Sequence, residues 1–326
     1  MPLIGPERAD SVMDSVLTSP AISVLICAHN PDLPRLARVL AALAAQTLPM
    51  PAFEVLIIDN GSTPALQRDT IHAPPTLHLR IVPEPRLGLS EARATGFLEA
   101  KAPILVLVDD DNGLSPNYLA DACAYLDAHA DIGALGGPCL PEFDGPIPPF
   151  ANEFLPLLAL RDLGPEIQSV PGQPGQRLDY PLFAPMGAGM VLRTTLAVDW
   201  AAAFRRGERK LMDRRGKSLS SAGDNDIVLH LLAKGQGVAY LPALRVTHIL
   251  SIARLEVDYL RRLNLGIQQS WMQVLRFNGV SPWPPISRLG AWLRIARAYV
   301  RYQAWRGPVQ RIRFAGAKGH FLGRVP

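Results

Sequence analysis

Three consecutive aspartates, Asp109, Asp110 and Asp111, directly follow an apolar run, residues 104–108. Adjacent carboxylates repel one another, so the cluster lowers stability unless positive charge lies among them. Mg²⁺ or Mn²⁺ would supply that charge, because these cations prefer oxygen ligands and leave positions free for water and phosphate oxygens. The triplet therefore predicts a metal and phosphate site, and the simpler alternative is a solvated acidic turn.

The surrounding segments predict the sheet that positions this triplet. Each apolar run ends in a polar tip: residues 22–27 before His29, residues 53–58 before Asp59, residues 79–82 before a loop around Gly88, and residues 104–108 before the triplet. Helical patterns separate the runs, which predicts βαβ units in a mostly parallel sheet covered on both faces. Ligands bind at the carboxyl edge of such sheets, so we expect these tips, with Arg93 in the following helix, to meet there.

A glycine-rich phosphate-binding loop does not accompany these strands. The first strand runs into Ala28, His29 and Asn30, where a dinucleotide fold would carry G-x-G-x-x-G and a P-loop would carry G-x-x-x-x-G-K-[ST]. Phosphate charge would then be met by a bound metal and by an arginine such as Arg93. Asp59 could accept hydrogen bonds from a base or a ribose.

Four sequence motifs follow one another in this region: residues 23–30, 55–63, 86–93 and 108–111, which together cover roughly residues 20–120. They resemble the successive motifs of family 2 glycosyltransferases with the GT-A fold. The resemblance implies an α/β fold of GT-A type, with a Rossmann-like, mostly parallel sheet flanked by helices. It also implies inverting transfer of a sugar from a nucleotide diphosphate sugar.

The resemblance assigns the nucleotide to four residues. His29 would stack on or flank the base, Asp59 would bind the base, Arg93 would contact the nucleotide, and Ala28 belongs to the same nucleotide-binding set. His29 stands where the family often has an aromatic residue, so the identity of the base stays open.

The same resemblance assigns the diphosphate and the metal. Asp109 and Asp110 would serve the ribose and pyrophosphate, and Asp111 would bind Mg²⁺ or Mn²⁺ as the closing carboxylate of a D-x-D motif. Asn112 stands where the family often has a further Asp. His248, after a strand-like run at residues 240–247, resembles a histidine that coordinates the metal or touches the diphosphate, although a lone histidine is often structural.

A general base is implied in the second half of the chain. Residues 183–193 resemble the glycine-bearing strand that backs the donor sugar, and residues 221–229 resemble a Gly-Glu-Asp-x-Asp/Glu-Leu motif in which Gly223 replaces the glutamate. Asp224 then falls on the proposed base, which removes the acceptor hydroxyl's proton. The alternative for Asp224 is a helix N-cap, because a helix is predicted from residue 225 to 234 with a stop at Gly235. The two roles are compatible.

Composition sets the class of the protein. With 326 residues, 48% of them hydrophobic, the chain can bury one large core or form two intimately joined subdomains. Three cysteines without C-x-x-C spacing favour a reducing cytoplasm and indicate neither a disulfide framework nor zinc. The first residues lack an apolar secretory segment, so we expect no secretory signal. The predicted organisation is a loose tail at 1–20, a nucleotide-sugar half at 21–120, an acceptor half at 121–250 and a basic helical extension at 251–326.

Charge is distributed unevenly along the chain. Residues 259–326 contain twelve Lys or Arg and no Asp or Glu, and since the whole chain carries +4, residues 1–258 carry a net charge of −8. Arginines at helical spacing beside Trp292 and Tyr299 predict a helix at an anionic lipid surface, and the alternative is a helix packed on the catalytic domain. The sequence contains no run of about 20 apolar residues, so it predicts no membrane-spanning helix.

Three functions remain open from the sequence. The leading one is a glycosyltransferase acting on a glycan or lipid-linked acceptor in cell-surface polysaccharide synthesis. A sugar nucleotidyltransferase should carry a glycine-rich, basic first loop, which residues 28–30 lack. A non-catalytic nucleotide-sugar-binding module is disfavoured because the triplet, Asp59, Arg93 and Asp224 occur together. A nucleic-acid partner is not expected, because the chain has no base-stacking signature.

Overall fold

The structure, a computed structural model, describes residues 19–209 and 222–326. Its helices are α1 (Leu33–Ala44), α2 (Leu89–Glu99), α3 (Tyr118–Ala128), α4 (Thr194–Arg205), α5 (Gly223–Ala233), α6 (Val257–Phe277), α7 (Arg288–Arg301) and α8 (Pro308–Gly323). Its strands are β1 (Ile22–Ala28), β2 (Phe53–Asp59), β3 (Leu79–Pro83), β4 (Ile104–Asp109), β5 (Asn112–Leu114), β6 (Ile132–Gly136), β7 (Cys139–Phe143), β8 (Gln168–Val170), β9 (Val191–Arg193), β10 (Gly237–Tyr240) and β11 (Val246–Leu250). Residues 1–18 of the predicted tail lie outside the described residues. Residue 221 of the motif around Asp224 also lies outside them.

The predicted mostly parallel sheet is confirmed. Its strand order is β3-β2-β1-β4-β9-β6-β10-β8, and the first four strands run parallel to one another. β9 is antiparallel to both of its neighbours, and β8 is antiparallel to β10. β1, β2 and β4 are buried on both faces, which explains their near-continuous apolar sequences.

Helices cover both faces of this sheet. On one face the core contains Leu36 and Leu40 of α1 with Tyr118 of α3. On the other face, Phe97 of α2 packs edge-to-face against Trp200 of α4, with ring centroids 5.7 Å apart. α1 begins with a proline in its first turn and with an aspartate side chain that caps its N-terminus. The sheet is thereby held from both sides, and its carboxyl edge is left for a ligand.

A second, three-stranded sheet has the order β5-β11-β7 and explains one departure from the sequence prediction. The single strand-like run at residues 240–247 is in fact two strands in different sheets, because a turn containing Pro242 separates β10 from β11. His248 therefore lies inside β11 and not after a strand.

The predicted strand at residues 183–193 is also shorter than expected. Only its last three residues form β9, since Gly189 has a φ of +75° and turns the chain just before that strand. A Cβ on Gly189 would press on the Tyr118 hydroxyl and on Val246, so glycine is required there by space as well as by φ.

Three helices follow the small sheet. α6 and α8 lie against each other, and glycines on α8 allow the close approach: a Cβ on Gly319 or Gly323 would overlap the backbone carbonyl of Leu265 or Gln269. α7 packs on α8. Within residues 19–209 and 222–326, no helix has the combination of length and low polarity needed to cross a bilayer.

Candidate active site

The aspartate triplet lies at the carboxyl end of β4, in the turn that leads into β5. β5 pairs with β11 so that Asn112 stands opposite His248, and the Ile249 N–H donates to the Asp111 carbonyl oxygen at 2.8 Å. This pairing brings His248 Nε2 to 3.4 Å from Asp111 Oδ1. The second sheet thus joins two predicted site residues that are far apart in sequence.

The ionisation of Asp110 reflects burial first and the crowding of neighbouring carboxylates second. Burial, together with the neighbouring charges of Asp111 and Asp109, raises the pKa of Asp110 to about 7. Arg254 supplies positive charge that works against this, and its Nη2 donates to Asp111 Oδ2 at 2.8 Å. Arg254 lies in a short 3₁₀ helix, Ile252–Leu255, directly after β11.

The donor set fits a divalent cation that takes few protein ligands. In the part of the chain that the structure describes, no three His, Cys, Asp or Glu side chains are arranged to hold a metal by themselves. Asp111, as a carboxylate, suits Mg²⁺ or Mn²⁺ with the remaining positions taken by water and phosphate. The Nδ1 atom of His248 is buried and has no hydrogen-bond partner among the described residues, whereas ligating histidines generally have that second nitrogen bonded. Asp111 is therefore the better supported ligand of the two.

A cavity of about 310 Å³ opens over the triplet. It is lined by Cys27, Ala28, His29, Asn60, Leu87, Gly88, Leu89, Ala92, Asp109, Asp110, Asp111, Leu157, Leu158, Ala159, His248, Arg254, Tyr259, Leu263 and Ile267. Six predicted site residues are in this lining. Asp59, Arg93 and Asp224 are not.

Asp59 and its neighbour Asn60 shape the loops at one end of the cavity. The Asp59 carboxylate accepts the N–H groups of Ser62 and Leu66, each at 2.9 Å. Although burial opposes them, these and other hydrogen bonds hold the pKa of Asp59 below its ordinary value. The Asn60 amide donates to the backbone carbonyls of the loop at residues 84–86 and accepts the Gly88 N–H at 2.8 Å. Asn60, which the sequence did not single out, therefore positions the Gly88 loop.

His29 is held at the same end of the cavity. Its Nδ1 lies 2.8 Å from the Asn60 carbonyl oxygen, and its other ring nitrogen is 3.3 Å from Asn30 Nδ2. The ring is thus held beside the ends of β1 and β2, at the carboxyl edge predicted from the strands.

Asp224 lies in the first turn of α5, and the N-cap interpretation of it is wrong. The helix begins at Gly223, two residues earlier than predicted, so Ala222 is the N-cap and provides no side-chain hydrogen bond. Asp224 Oδ2 accepts the Gly187 N–H at 3.0 Å, and Oδ1 accepts the N–H of Asn225 at 3.0 Å. Both carboxylate oxygens are thereby oriented by backbone donors.

Arg93 lies close to this carboxylate. A Cβ added to Gly187 would stand 2.7 Å from Arg93 Nη2 and 3.5 Å from Asp224 Oδ2, so both side chains approach the same glycine. The Arg93 side chain is buried. The structure therefore brings Arg93 to the candidate base, beside the cavity and not among its lining residues.

Arg254 and the α6 residues of the cavity were missed from the sequence. Arg254 carried no pattern that separated it from other arginines, because its partner Asp111 lies 143 residues away. Tyr259, Leu263 and Ile267 recur every four residues and so share one helical face, which a search for amphipathic helices could have found.

Comparison with known proteins gives a family match for the part of the chain that contains Asp59, Arg93 and the aspartate triplet. Residues 23–144 match the family described as Glycosyl transferase family 2, which confirms the predicted resemblance. The Mycobacterium bovis glycosyltransferase Mb0553 is 32% identical over 109 residues, covering 33% of this chain and 44% of that protein. The glycosyltransferase AglE of Haloferax volcanii is 34% identical over 97 residues, covering 29% of this chain and 31% of AglE. The chain thus spans less than half the length of these relatives.

Solved structures share the fold. The mannosyltransferase PcManGT from Pyrobaculum calidifontis, in complex with GDP-Man and Mn²⁺, matches with a TM-score of 0.52 and 18% identity, covering 93% of this chain and 75% of that chain. TarS 1–349 of S. aureus matches with a TM-score of 0.50 and 18% identity, covering 93% and 89%. At this level of identity the comparison concerns the fold alone, and the predicted GT-A fold is confirmed.

Proposed function

From the family 2 glycosyl transferase match of residues 23–144, we propose that this protein is an inverting glycosyltransferase. It transfers a sugar from a nucleotide diphosphate sugar to an acceptor hydroxyl. The observation that carries the proposal is the aspartate triplet in the wall of a cavity of about 310 Å³, which is within the size range of small-molecule sites. The cavity lies at the sheet edge where α/β proteins bind nucleotides.

The donor lies along this cavity in the proposal. The base is placed at Ala28 and His29, with Asp59 binding it or holding the loop that does. The diphosphate lies beside Asp109, Asp110 and Asp111, whose negative charge requires positive charge between them and the phosphates. Arg254 provides one such charge from the cavity wall. A divalent Mg²⁺ or Mn²⁺ held by Asp111, with His248 beside it, would neutralise the leaving diphosphate when bound.

Asp224 is the proposed general base. The acceptor oxygen attacks the anomeric carbon as its proton passes to the Asp224 carboxylate, and the bond between that carbon and the phosphate oxygen breaks on the opposite face. The nucleoside diphosphate leaves with the bonding electrons, so the configuration is inverted. The N–H groups of Gly187 and Asn225 orient the carboxylate, and Arg93 stands beside it. A positioned base of this kind contributes about 10²–10⁴ in rate.

The acceptor in this proposal is a glycan or a lipid-linked sugar in cell-surface polysaccharide synthesis. Transfer takes place on the cytoplasmic side of the membrane. Nucleotide sugars are found there, and the cysteine content of the chain suits the reducing environment of that compartment. Support for the lipid-linked form comes from the basic, aromatic segment that follows residue 258.

A thermal-shift screen of UDP-, GDP- and dTDP-sugars, in Mn²⁺ and in EDTA, tests the proposal. A ligand at 100 times its Kd stabilises the folded state by about 2.7 kcal/mol, which raises the melting temperature of a chain of this size by several degrees. We expect one nucleotide class to do this, and to do so more strongly with Mn²⁺. If no nucleotide diphosphate sugar stabilises the protein or is consumed by it, the proposal fails.

A further inference from the structure

α7 carries an apolar stripe that faces away from the protein. Leu289, Trp292, Leu293 and Val300 are each between 63% and 70% exposed. With about 100° between successive residues of a helix, these four and the exposed Ala296 share one face about 100° wide. We name them the α7 stripe. Exposed apolar side chains are common singly, but a contiguous stripe of this kind indicates a binding surface.

The opposite face of α7 already serves the fold. Ala291, Ile295 and Ala298 are buried, and α7 packs on α8. The helix therefore has two apolar faces, and only one of them has a partner within the described residues. A helix needs one apolar face to dock on its own protein, so the second face requires another explanation.

Charge and aromatic residues border the stripe on its two sides. Arg297 and Arg301 follow one edge, and Tyr299 lies on the other beside Trp305, with ring centroids 5.6 Å apart. No ion pair to a described residue joins Arg297 or Arg301. Arginines beside an apolar face, with Trp and Tyr at its border, form the pattern of a helix that lies in the headgroup layer of a membrane.

A second copy of the chain fits this face poorly. In a two-fold interface the same patch meets itself, so the arginines of one copy would approach those of the other. The segment from residue 259 to 326 offers no acidic side chain to compensate them. An anionic lipid surface, in contrast, supplies both the negative charge and the apolar layer.

We propose that α7 docks on an anionic bilayer, with the α7 stripe at the boundary between headgroups and acyl chains and with Arg297 and Arg301 among the phosphates. This proposal does not rest on the glycosyltransferase activity, because it depends only on α7 and its surroundings. It assigns the basic C-terminal segment to membrane attachment without a spanning helix.

Flotation of the full chain with phosphatidylglycerol vesicles tests the proposal, and phosphatidylcholine vesicles serve as the neutral comparison. We expect the protein to float with the anionic vesicles at low salt and to be released as salt rises. Each arginine near the surface should contribute about fivefold to partitioning, since about 1 kcal/mol per residue corresponds to that factor. The double variant R297Q/R301Q should therefore partition roughly 25-fold less than the natural chain.

The stripe itself is tested with Leu293→Gln combined with Val300→Gln. The matched control is Leu98→Gln combined with Ile167→Gln, because these two residues are also more than half exposed but lie far from α7 in sequence. We expect at least a tenfold loss of flotation for the stripe variant and none for the control, with unchanged circular dichroism in both.

Three results would overturn the proposal. The natural chain could stay with the soluble fraction at low salt, or the stripe variant could float as well as the control. The third result is that light scattering shows the natural chain as a dimer, that the stripe variant is a monomer, and that the natural chain does not bind vesicles. This result would assign the α7 stripe to contact with a second copy.

Discussion

Glu84→Gln should destabilise the protein and disturb the donor cavity together. Glu84 is 2% exposed and lies in the loop between β3 and α2 that leads to Gly88. Its carboxylate accepts Arg86 Nε at 2.9 Å and Arg86 Nη2 at 2.8 Å, and it also accepts Arg205 Nη2 of α4 at 3.0 Å. The buried carboxylate of Glu84 thus connects the loop that contains Gly88 to helix α4.

The size of the effect follows from burial. Breaking a buried ion pair costs about 3–5 kcal/mol, because a charge is left without compensation. Because Arg86 is 57% exposed, solvent screens its interaction with Glu84 and reduces the cost of losing it. We therefore expect Glu84→Gln to lower the free energy of unfolding by roughly 2–3 kcal/mol at pH 7.

The sign of the pH dependence is fixed by the direction of the shift. Arg86, with Thr95 and Arg205, holds the pKa of Glu84 well below its ordinary value of 4.5 despite the burial. A lowered folded pKa means that the ionised carboxylate stabilises the protein above about pH 4.5, and that this contribution is lost as pH falls towards the folded value. The difference between natural chain and variant should therefore shrink by about 1.4 kcal/mol for each pH unit below that point.

Urea unfolding followed by circular dichroism, at pH 7 and at several values below pH 4.5, measures this difference. Glu91→Gln is the matched control, because Glu91 also contacts Arg205 but is more exposed, and it should cost less than about 1 kcal/mol. The natural chain and Glu84→Gln should also differ in nucleotide affinity, since Leu87 and Gly88 line the cavity. Equal stability at pH 7, or a difference that does not change with pH, would refute the reasoning.

Three further substitutions separate binding from chemistry. Asp224→Asn should lower turnover at least about a hundredfold with donor affinity nearly unchanged by calorimetry, and undiminished turnover would leave Asp224 only its hydrogen bonds to the backbone. Asp111→Ala should lose the stimulation of nucleotide binding by Mn²⁺, and a natural chain that binds equally well in Mn²⁺ and EDTA would contradict the metal role. Arg254→Met should weaken the nucleoside diphosphate about tenfold more than the nucleoside, consistent with a hydrogen bond to a charged group; equal losses for both would remove Arg254 from the diphosphate.

The sequence predicts the half of the site that depends on local patterns. Each of β1, β2 and β4 is a continuous apolar run, so the runs and the polar tips that follow them could be recognised one at a time. Parallel strands end at the same edge of a sheet, so the strand pattern alone predicts that Ala28 and the triplet lie at one edge.

The remaining parts depend on tertiary contacts that no local pattern encodes. Arg254 reaches Asp111 only because β11 pairs with β5, and Asn60 is identified only by the loop carbonyls that it bonds. The start of α5 was misplaced because Gly223 and Asp224 fill its first turn without a capping side chain. The division of residues 240–247 was missed because apolar residues on both sides of Pro242 concealed the turn.

The 21-residue α6 has a consequence for the evolution of this chain. Near its start, Tyr259, Leu263 and Ile267 form part of the cavity wall, and just beyond its end Asn278 donates to Asp226 Oδ1 on α5 at 2.9 Å. A helix of this length spans about 30 Å, and one inserted residue would turn everything downstream by about 100°. Lineages that share this architecture should therefore keep the number of residues between Tyr259 and Asn278 constant.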